Sequence, residues 1–511
     1  MNKIKFFLAD EAMRKDIVQA VADAMALFDI QPAAAKSAAA NREELTTDQV
    51  LVYNKVIDET TITVTTEIFF RRDNGTLGCL IHRQQTAPEE ASDSAVVRLV
   101  KLNILRLMSN LLSYNPSPWG ILRGVRPTKI IHRLLDRGWQ LPAIIERLQT
   151  VYGLDPEKAQ LVTNVAARQW PFLPPAGKQS RMISVYIGIP FCPSRCVYCS
   201  FPSYPLPRDD SQLQSFLQAL FRDIEATAAL IRRHNLAVET IYVGGGTPTS
   251  LNAYQFSSLL SLIEKHFVGP ALKEFTVEAG RPDSITVEKI RAMQRFHVTR
   301  TSVNPQTMQQ KTLNLIGRQH TVQDIINIFY QIRNNANLLI NMDIIVGLPG
   351  ETTADVADTV EQLAALDPDN LTIHTLARKR GAGWTGSWDK YCLPEAATVA
   401  EMLAVAKARA EQMGMQPYYL YRQKHMTGNL ENIGYAKPGT ECLYNIQIIS
   451  ERQTIIGIGP AAATKAVDAA TWRISSCYNA KDLNTYITDL DRYLAMRSKL
   501  IAKLYPPGEE E

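Results

Sequence analysis

The sequence predicts an α/β protein built on a partial (βα)6, TIM-like barrel, with an α+β domain before it and a mixed α/β extension after it. Three observations carry that expectation. From about residue 181, short β-branched segments alternate with longer amphipathic ones roughly every 30 to 40 residues, the pattern of a parallel sheet with right-handed crossovers. Before it, PFLPPAGK at 171–178 packs three prolines and a glycine into eight positions, which marks a linker. Just after the first β-like segment, Cys192, Cys196 and Cys199 stand at a C-x3-C-x2-C spacing, at a strand end where such a barrel carries its chemistry. The expected divisions are an N-terminal domain 1–170, a linker 171–180, the barrel 181–383 and a C-terminal extension 384–511.

Composition bounds the function classes. With 511 residues, 46% hydrophobic and 21% charged, the chain is globular and long enough for several domains. A net charge of +4 is too small for this length to mark a nucleic-acid binder, although a local basic pocket for an acidic ligand remains open. The start MNKIKFFLADEAMRKD lacks a long apolar signal region, and no run approaches the ~18 apolar residues of a membrane span. Beyond the central three, Cys79, Cys392, Cys442 and Cys477 are too scattered for a disulfide framework. A reducing, cytoplasmic location is therefore expected.

Taken in order, KIKFFLAD reads as a strand and Glu11–Leu27 as a helix. TITVTTEIFFRRDNGTLGCLIHR alternates β-branched residues (Ile62, Val64, Ile68, Phe70) around a turn at Asp73-Asn74-Gly75 and reads as a hairpin. Val96–Leu112 is a strong amphipathic helix, followed by helical segments at 128–137, 141–152 and 156–169. The basic run Arg123, Arg126, Lys129 and Arg133 reads as a solvated helix face, with an anion or partner site as the alternative. The barrel strands are expected at 183–189, 240–243, 274–278, 300–303, 339–346 and 371–375, with Leu213, Phe216, Leu217, Leu220 and Ile224 forming one stripe of the first crossover helix. The extension holds a helix at 395–413, the polar-aromatic stretch PYYLYRQKHMTGNLENIGYAKPGTECLYN, a strand-like TIIGIG and a final helix over 483–503.

Three thiolates so close together point to a metal. They can hold three corners of a [4Fe–4S] cube and leave the fourth iron open to a small molecule. A structural zinc site would want a fourth Cys or His at ligand spacing, and the nearest downstream histidine is His234. Core thiols on one helical face are the other alternative, opposed by Pro190, Pro193 and Pro202.

Polar residues recur at the ends of the following strands. The second runs into Gly244-Gly245-Gly246-Thr247-Pro248-Thr249, where glycines let backbone approach a ligand and Pro248 can start a helix. The third ends at Glu278, the fourth is followed by Gln306 and then Arg318, and the fifth carries Asp343. Each alone reads as a structural hydrogen bond or ion pair; together they could line a ligand with an amino-acid group, a ribose and a base.

IPFCPSRCVYCSF, with GGGTPT, TVEAG, VNPQTM, GRQH and NMDIIVGLPGET, resembles the radical S-adenosylmethionine (radical SAM) superfamily, in its oxygen-independent coproporphyrinogen III dehydrogenase-like branch. The long N-terminal unit and YYLYRQKHMTGNLENIGYAKPG resemble the long-headed paralogue group of that branch. The resemblance spans roughly 180–465. It implies a [4Fe–4S] cluster on Cys192, Cys196 and Cys199, and S-adenosylmethionine held by Tyr186, Tyr198, Gly245, Gly246, Thr247, Glu278, Gln306, Arg318, Asp343 and the backbone of Ala377. It further implies reductive cleavage of the sulfonium to a 5′-deoxyadenosyl radical, a low-potential electron donor, and removal of hydrogen and CO2 from two propionates of coproporphyrinogen III to give protoporphyrinogen IX in haem biosynthesis. The chain departs from the established dehydrogenase at Phe201, where that enzyme has a further cysteine, and at Gly188, where it has a histidine. A haem-binding or haem-delivery protein and a radical enzyme on another substrate are the alternative expectations. Arg378, Lys379 and Arg380, or Arg422, Lys424 and His425, are the candidate contacts for tetrapyrrole carboxylates, and His425 reads as a structural histidine before a haem ligand.

Overall fold

The computed structural model describes residues 5–8, 15–28, 30–31, 33–34, 45–47, 49–58, 61–86, 92–207, 210–379, 382–383, 391–423 and 426–507. The chain divides into two compact units, one of Met1–Gly124 with Arg137–Thr163, the other of Val125–Asp136 with Asn164–Glu511.

The first unit is α+β. Strands β1 (Lys5–Leu8), β2 (Ala33–Ala34), β3 (Gln49–Asp58), β4 (Ile62–Arg71) and β5 (Leu77–Gln85) form one sheet in the order β2-β1-β3-β4-β5. The expected hairpin is β4–β5, closed where Gly75 takes φ +80°. Its other edge is taken by β3, a strand not anticipated from the sequence. Helices Lys15–Met25 and Asp93–Leu112 bury Ile17, Val21, Val96, Val100 and Ile104 with Val52, Val64 and Ile68 of the sheet. The long helix begins where Ser92 caps Ala95 N–H. The first four residues of the expected Glu11–Leu27 helix lie outside the described residues.

The second unit is organised by six parallel strands, β6 (Met182–Ile189), β9 (Ala237–Gly245), β10 (Glu274–Glu278), β11 (Arg300–Ser302), β12 (Leu339–Val346) and β13 (Asn370–Thr375); the short pair β7 (Phe191–Cys192) and β8 (Tyr204–Pro205) lies in the first crossover. They stand side by side in chain order, the sequential parallel arrangement of a partial (βα)6 barrel. The reason is visible in the sequence: each strand is short and β-branched, each crossover helix has one apolar stripe. In Asp210–Arg233 the whole expected stripe from Leu213 to Ile224 is buried. Thr321 and Thr352 start later crossovers as the N-caps of capping boxes.

The extension completes the sheet instead of forming a separate layer. The polar-aromatic stretch supplies β14 (Gln416–Tyr421) and β15 (Asn432–Ala436), and β15 pairs antiparallel with β13. TIIGIG becomes β16 (Ile455–Ile458), which pairs parallel with the opposite edge at β6, and β17 (Ala463–Val467) and β18 (Ile474–Tyr478) follow antiparallel. The final helix is broken in two, Leu483–Thr488 and Leu490–Leu504, where Asp489 leaves helical geometry.

One buried ion pair fastens this extension to the barrel. Arg497 and Asp223 are fully enclosed; Asp223 also accepts from Gly459 N–H at 3.1 Å and Tyr486 Oη at 2.8 Å. The basic run is divided: Arg123 and Arg133 are exposed, as a solvated face requires, whereas Arg126 and Lys129 reach Glu451 at 3.2 and 2.7 Å, and Lys465 joins them at 3.0 Å. Among the described residues no helix is long and apolar enough to cross a membrane.

Candidate functional site

The parallel strands put their C-terminal ends on one side, and a cavity of about 360 Å³ opens there. It is lined by all three cysteines together with Tyr198, Gly245, Gly246, Thr247, Glu278, Gln306, Arg318, Asp343 and Ala377. Six consecutive strand ends thus bring together residues up to 185 positions apart in sequence, from Cys192 to Ala377.

The cysteine segment is extended and turned, not helical, as its prolines dictate. Cys192 and Cys199 are part-exposed and Cys196 is buried. Burial pushes the thiols of Cys192 and Cys199 up, so neither ionises readily without a metal to hold the thiolate. Thr247 Oγ1 donates to Cys192 Sγ at 3.5 Å and Arg281 Nη1 to Cys196 Sγ at 3.5 Å. Among the described residues no three His, Cys, Asp or Glu side chains converge on a single ion.

The glycine run fits backbone against backbone. Gly246 N–H donates to Ile189 O at 2.7 Å and Thr247 N–H to Phe191 O at 2.6 Å. A Cβ on Gly246 would lie 2.5 Å from Phe191 O, and Gly245 takes φ +107°, so neither position accepts a side chain without a shift. Pro248 opens a short 3-10 turn, as expected.

The acidic groups differ in charge. Glu278 accepts a hydrogen bond from Tyr242 Oη; burial pushes its carboxyl up to about 7, with Asp343 adding repulsion. Burial acts on Asp343 in the same direction, but His374, 3.7 Å away, and donation from Asn341 Nδ2 at 2.7 Å hold it below the ordinary range. Tyr421 Oη lies 3.2 Å from His374 Nδ1. Arg318 is buried, donating to Asn304 O at 2.6 Å and Tyr198 Oη at 3.0 Å. Gln306 takes φ +69°, a left-handed conformation that a non-glycine residue holds only when its surroundings impose it. Here the clamp is Gln306 N–H to Asp343 O at 2.9 Å and Ile345 N–H to Gln306 O at 2.9 Å.

Ser302 Oγ, Asn304 Oδ1 and Arg318 Nε are buried in the cavity wall without a hydrogen-bond partner among the described residues. Unmet buried polar atoms of this kind suit a polar ligand. With three thiols, backbone-lined glycines, one carboxyl held ionised and one raised to about 7, the donor set fits an open-iron cluster and an amino-acid nucleoside.

Not every expected residue faces this cavity. Tyr186 stacks with Tyr242 and Tyr444 and lines an adjoining cavity of about 390 Å³ behind Gly245. Arg422 is a structural residue, its guanidinium donating to Asn429 O at 3.0 Å and Asn429 Oδ1 at 2.6 Å, which removes it as a substrate contact. Arg380, Lys424 and His425 lie outside the described residues. Lys379 lines the cavity and stands 5.8 Å from the exposed ring of Phe201, while Gly188 packs close to Pro460 O. Sequence reasoning missed Arg281, Asn304, Asn341, His374 and Tyr421. The available signal was position alone, since each lies within a few residues of a strand end or on an added strand.

This fold and loop are those of the radical SAM superfamily, whose family model matches residues 186–363. The chain is 38% identical over 410 residues to the oxygen-independent coproporphyrinogen-III oxidase-like protein HemZ of Bacillus subtilis, covering 80% of this chain and 81% of that one. It is 30% identical over 284 residues to the heme chaperone HemW of the same organism, covering 55% of this chain and 70% of that one. The solved structure of coproporphyrinogen III oxidase (HemN) from Escherichia coli, a radical SAM enzyme, superposes with a TM-score of 0.51 at 23% identity, over 61% of this chain and 70% of that one. The chain belongs to the oxygen-independent coproporphyrinogen-III oxidase-like family of radical SAM proteins.

Proposed function

We propose that the chain is a radical SAM oxidoreductase that oxidatively decarboxylates two of the four propionates of coproporphyrinogen III to vinyl groups without oxygen, giving protoporphyrinogen IX. The observation that carries the reading is the convergence of Cys192, Cys196 and Cys199 with the glycine run, Glu278, Gln306, Arg318 and Asp343 on one strand-end cavity. The likeness to the HemZ protein over four-fifths of both chains supports the substrate class.

In this reading Cys192, Cys196 and Cys199 would hold a [4Fe–4S] cluster, and the cavity beside them would take S-adenosylmethionine. Together the two groups supply hydrogen abstraction from an unactivated carbon. Every other contribution is the chain's own. The Gly245–Thr247 backbone and Glu278 receive the methionine ammonium. Ionised Asp343, oriented by His374 and Asn341, accepts from the ribose hydroxyls. Tyr198, fixed by Arg318, and the Ala377 backbone flank the adenine. Lys379 at the mouth offers a cation to a substrate carboxylate.

The test is anaerobic. Reconstituted protein with reductant, S-adenosylmethionine and coproporphyrinogen III is expected to form 5′-deoxyadenosine and a divinyl product together. Deoxyadenosine with unchanged porphyrinogen would refute the substrate and leave a radical enzyme on another one. The similarity to HemW favours a second reading, a haem-binding protein that keeps the cluster. That reading requires a Soret shift on haem titration and no decarboxylation.

A further inference from the structure

Among the cations beside the cysteine loop, Arg281 is one that the assigned cofactor contacts do not use. Arg281 stands three residues beyond Glu278, and its side chain is only 4% exposed. Its guanidinium is held from two sides. Asp283 accepts from Nε at 3.0 Å and from Nη2 at 2.7 Å, a bidentate clamp. On the opposite side Nη1 reaches Ser194 O at 3.3 Å and Cys196 Sγ at 3.5 Å, while Nη2 reaches Ser194 Oγ at 3.0 Å. The backbone around the clamp is closed as well, with Ser284 Oγ donating to Arg281 O at 2.7 Å.

We propose that Arg281 is a positioning residue that sets the reduction potential of the cluster, by donating to the sulfur of Cys196 and placing a fixed positive charge beside it. The inference rests on the cluster reading above. Its physical basis is general: an N–H donated to a ligating sulfur withdraws electron density, and a neighbouring cation favours the form that has gained an electron. The effect is strong where water is excluded, as it is at Arg281. The other two sulfurs are both part-exposed: Cys192 accepts from the neutral hydroxyl of Thr247, and Cys199 has the Lys379 cation near it. Arg281 is thus the buried charged donor aimed at one particular corner, and the clamp by Asp283 holds it there before any cluster arrives.

The test compares the reconstituted full-length protein with Arg281→Met and Arg281→Lys by potentiometric titration followed by electron paramagnetic resonance, with neither S-adenosylmethionine nor substrate present. In Arg281→Met the ratio of reduced to oxidised cluster at a fixed potential is expected to fall at least tenfold, a lowering of about 59 mV for a one-electron couple. Arg281→Lys keeps the charge and should recover most of the wild-type ratio. Loss of the cluster in the Met variant with retention in the Lys variant would show that Arg281 holds the cluster and does not tune it, and would overturn the proposal. Wild-type ratios in both variants, or loss of iron from both, would overturn it. A wild-type protein that assembles no cluster overturns the site reading itself, which iron analysis reveals before any variant is compared.

Discussion

Gly246→Ala tests the glycine run most sharply. The added Cβ would lie 2.5 Å from Phe191 O, 2.9 Å from Phe191 C and 3.0 Å from Phe191 N, all backbone atoms. No side chain can rotate away. Phe191 is itself tied to the run by the 2.6 Å bond from Thr247 N–H, and Gly246 by the 2.7 Å bond to Ile189 O, so relief requires the run to part from the cysteine loop. Overpacking of this kind costs about 1–3 kcal/mol, so if the displaced run is what holds the cofactor, binding weakens by about 5- to 150-fold. The assay is equilibrium binding of S-adenosylmethionine to reconstituted protein, with thermal melting beside it to register strain relieved in the free protein. Gly269→Ala is the control, because nothing lies within 4 Å of its Cβ position. Unchanged affinity and melting in Gly246→Ala would refute the reasoning.

Two further outcomes follow from the electrostatics. Glu278 has its carboxyl raised from 4.5 to about 7, so its protonated form stabilises the fold; that contribution is complete below about pH 4.5 and is lost as pH rises through about 7. Because its oxygens open into the cavity, where water screens them, the expected loss is about 1–3 kcal/mol. Urea unfolding of the cofactor-free protein at pH 5 and pH 8 should show this loss in the wild type but not in Glu278→Gln, and parallel curves would count against it. Asp223→Ala strands Arg497 in the interior and should cost about 3–5 kcal/mol, whereas Asp223→Ala combined with Arg497→Met should recover much of it. A double variant no more stable than the single one would show that the pair matters through its other partners, Gly459 and Tyr486.

Much of this architecture was legible because it rests on repeating signals. Strand β12 occupies the expected residues, 339–346, and β10 the expected 274–278, since β-branched runs between amphipathic helices leave few alternatives. The cysteine spacing and the glycine run were legible because few other residues satisfy their geometry. What escaped depends on single side chains meeting across long sequence distances. His374 sits inside a strand and gains meaning only beside Asp343; Arg281 gains it only beside Cys196. Arg422 read as a substrate contact because its basic neighbours suggested a patch, yet the turn that follows consumes its donors. Tyr186 lies on the expected strand, but its ring packs into the aromatic group formed with Tyr444, a residue contributed by the extension. The extension itself was hard to read because its strands complete the edges of a sheet whose partners lie far away in sequence.

The most direct measurement of the central claim is 5′-deoxyadenosine formed under anaerobic conditions from S-adenosylmethionine and a reductant, in the wild type and in Cys196→Ala. The three-thiol site requires iron–sulfur absorbance and deoxyadenosine from the wild type, and neither from the variant. Cofactor cleavage that survives Cys196→Ala with its cluster intact would contradict it.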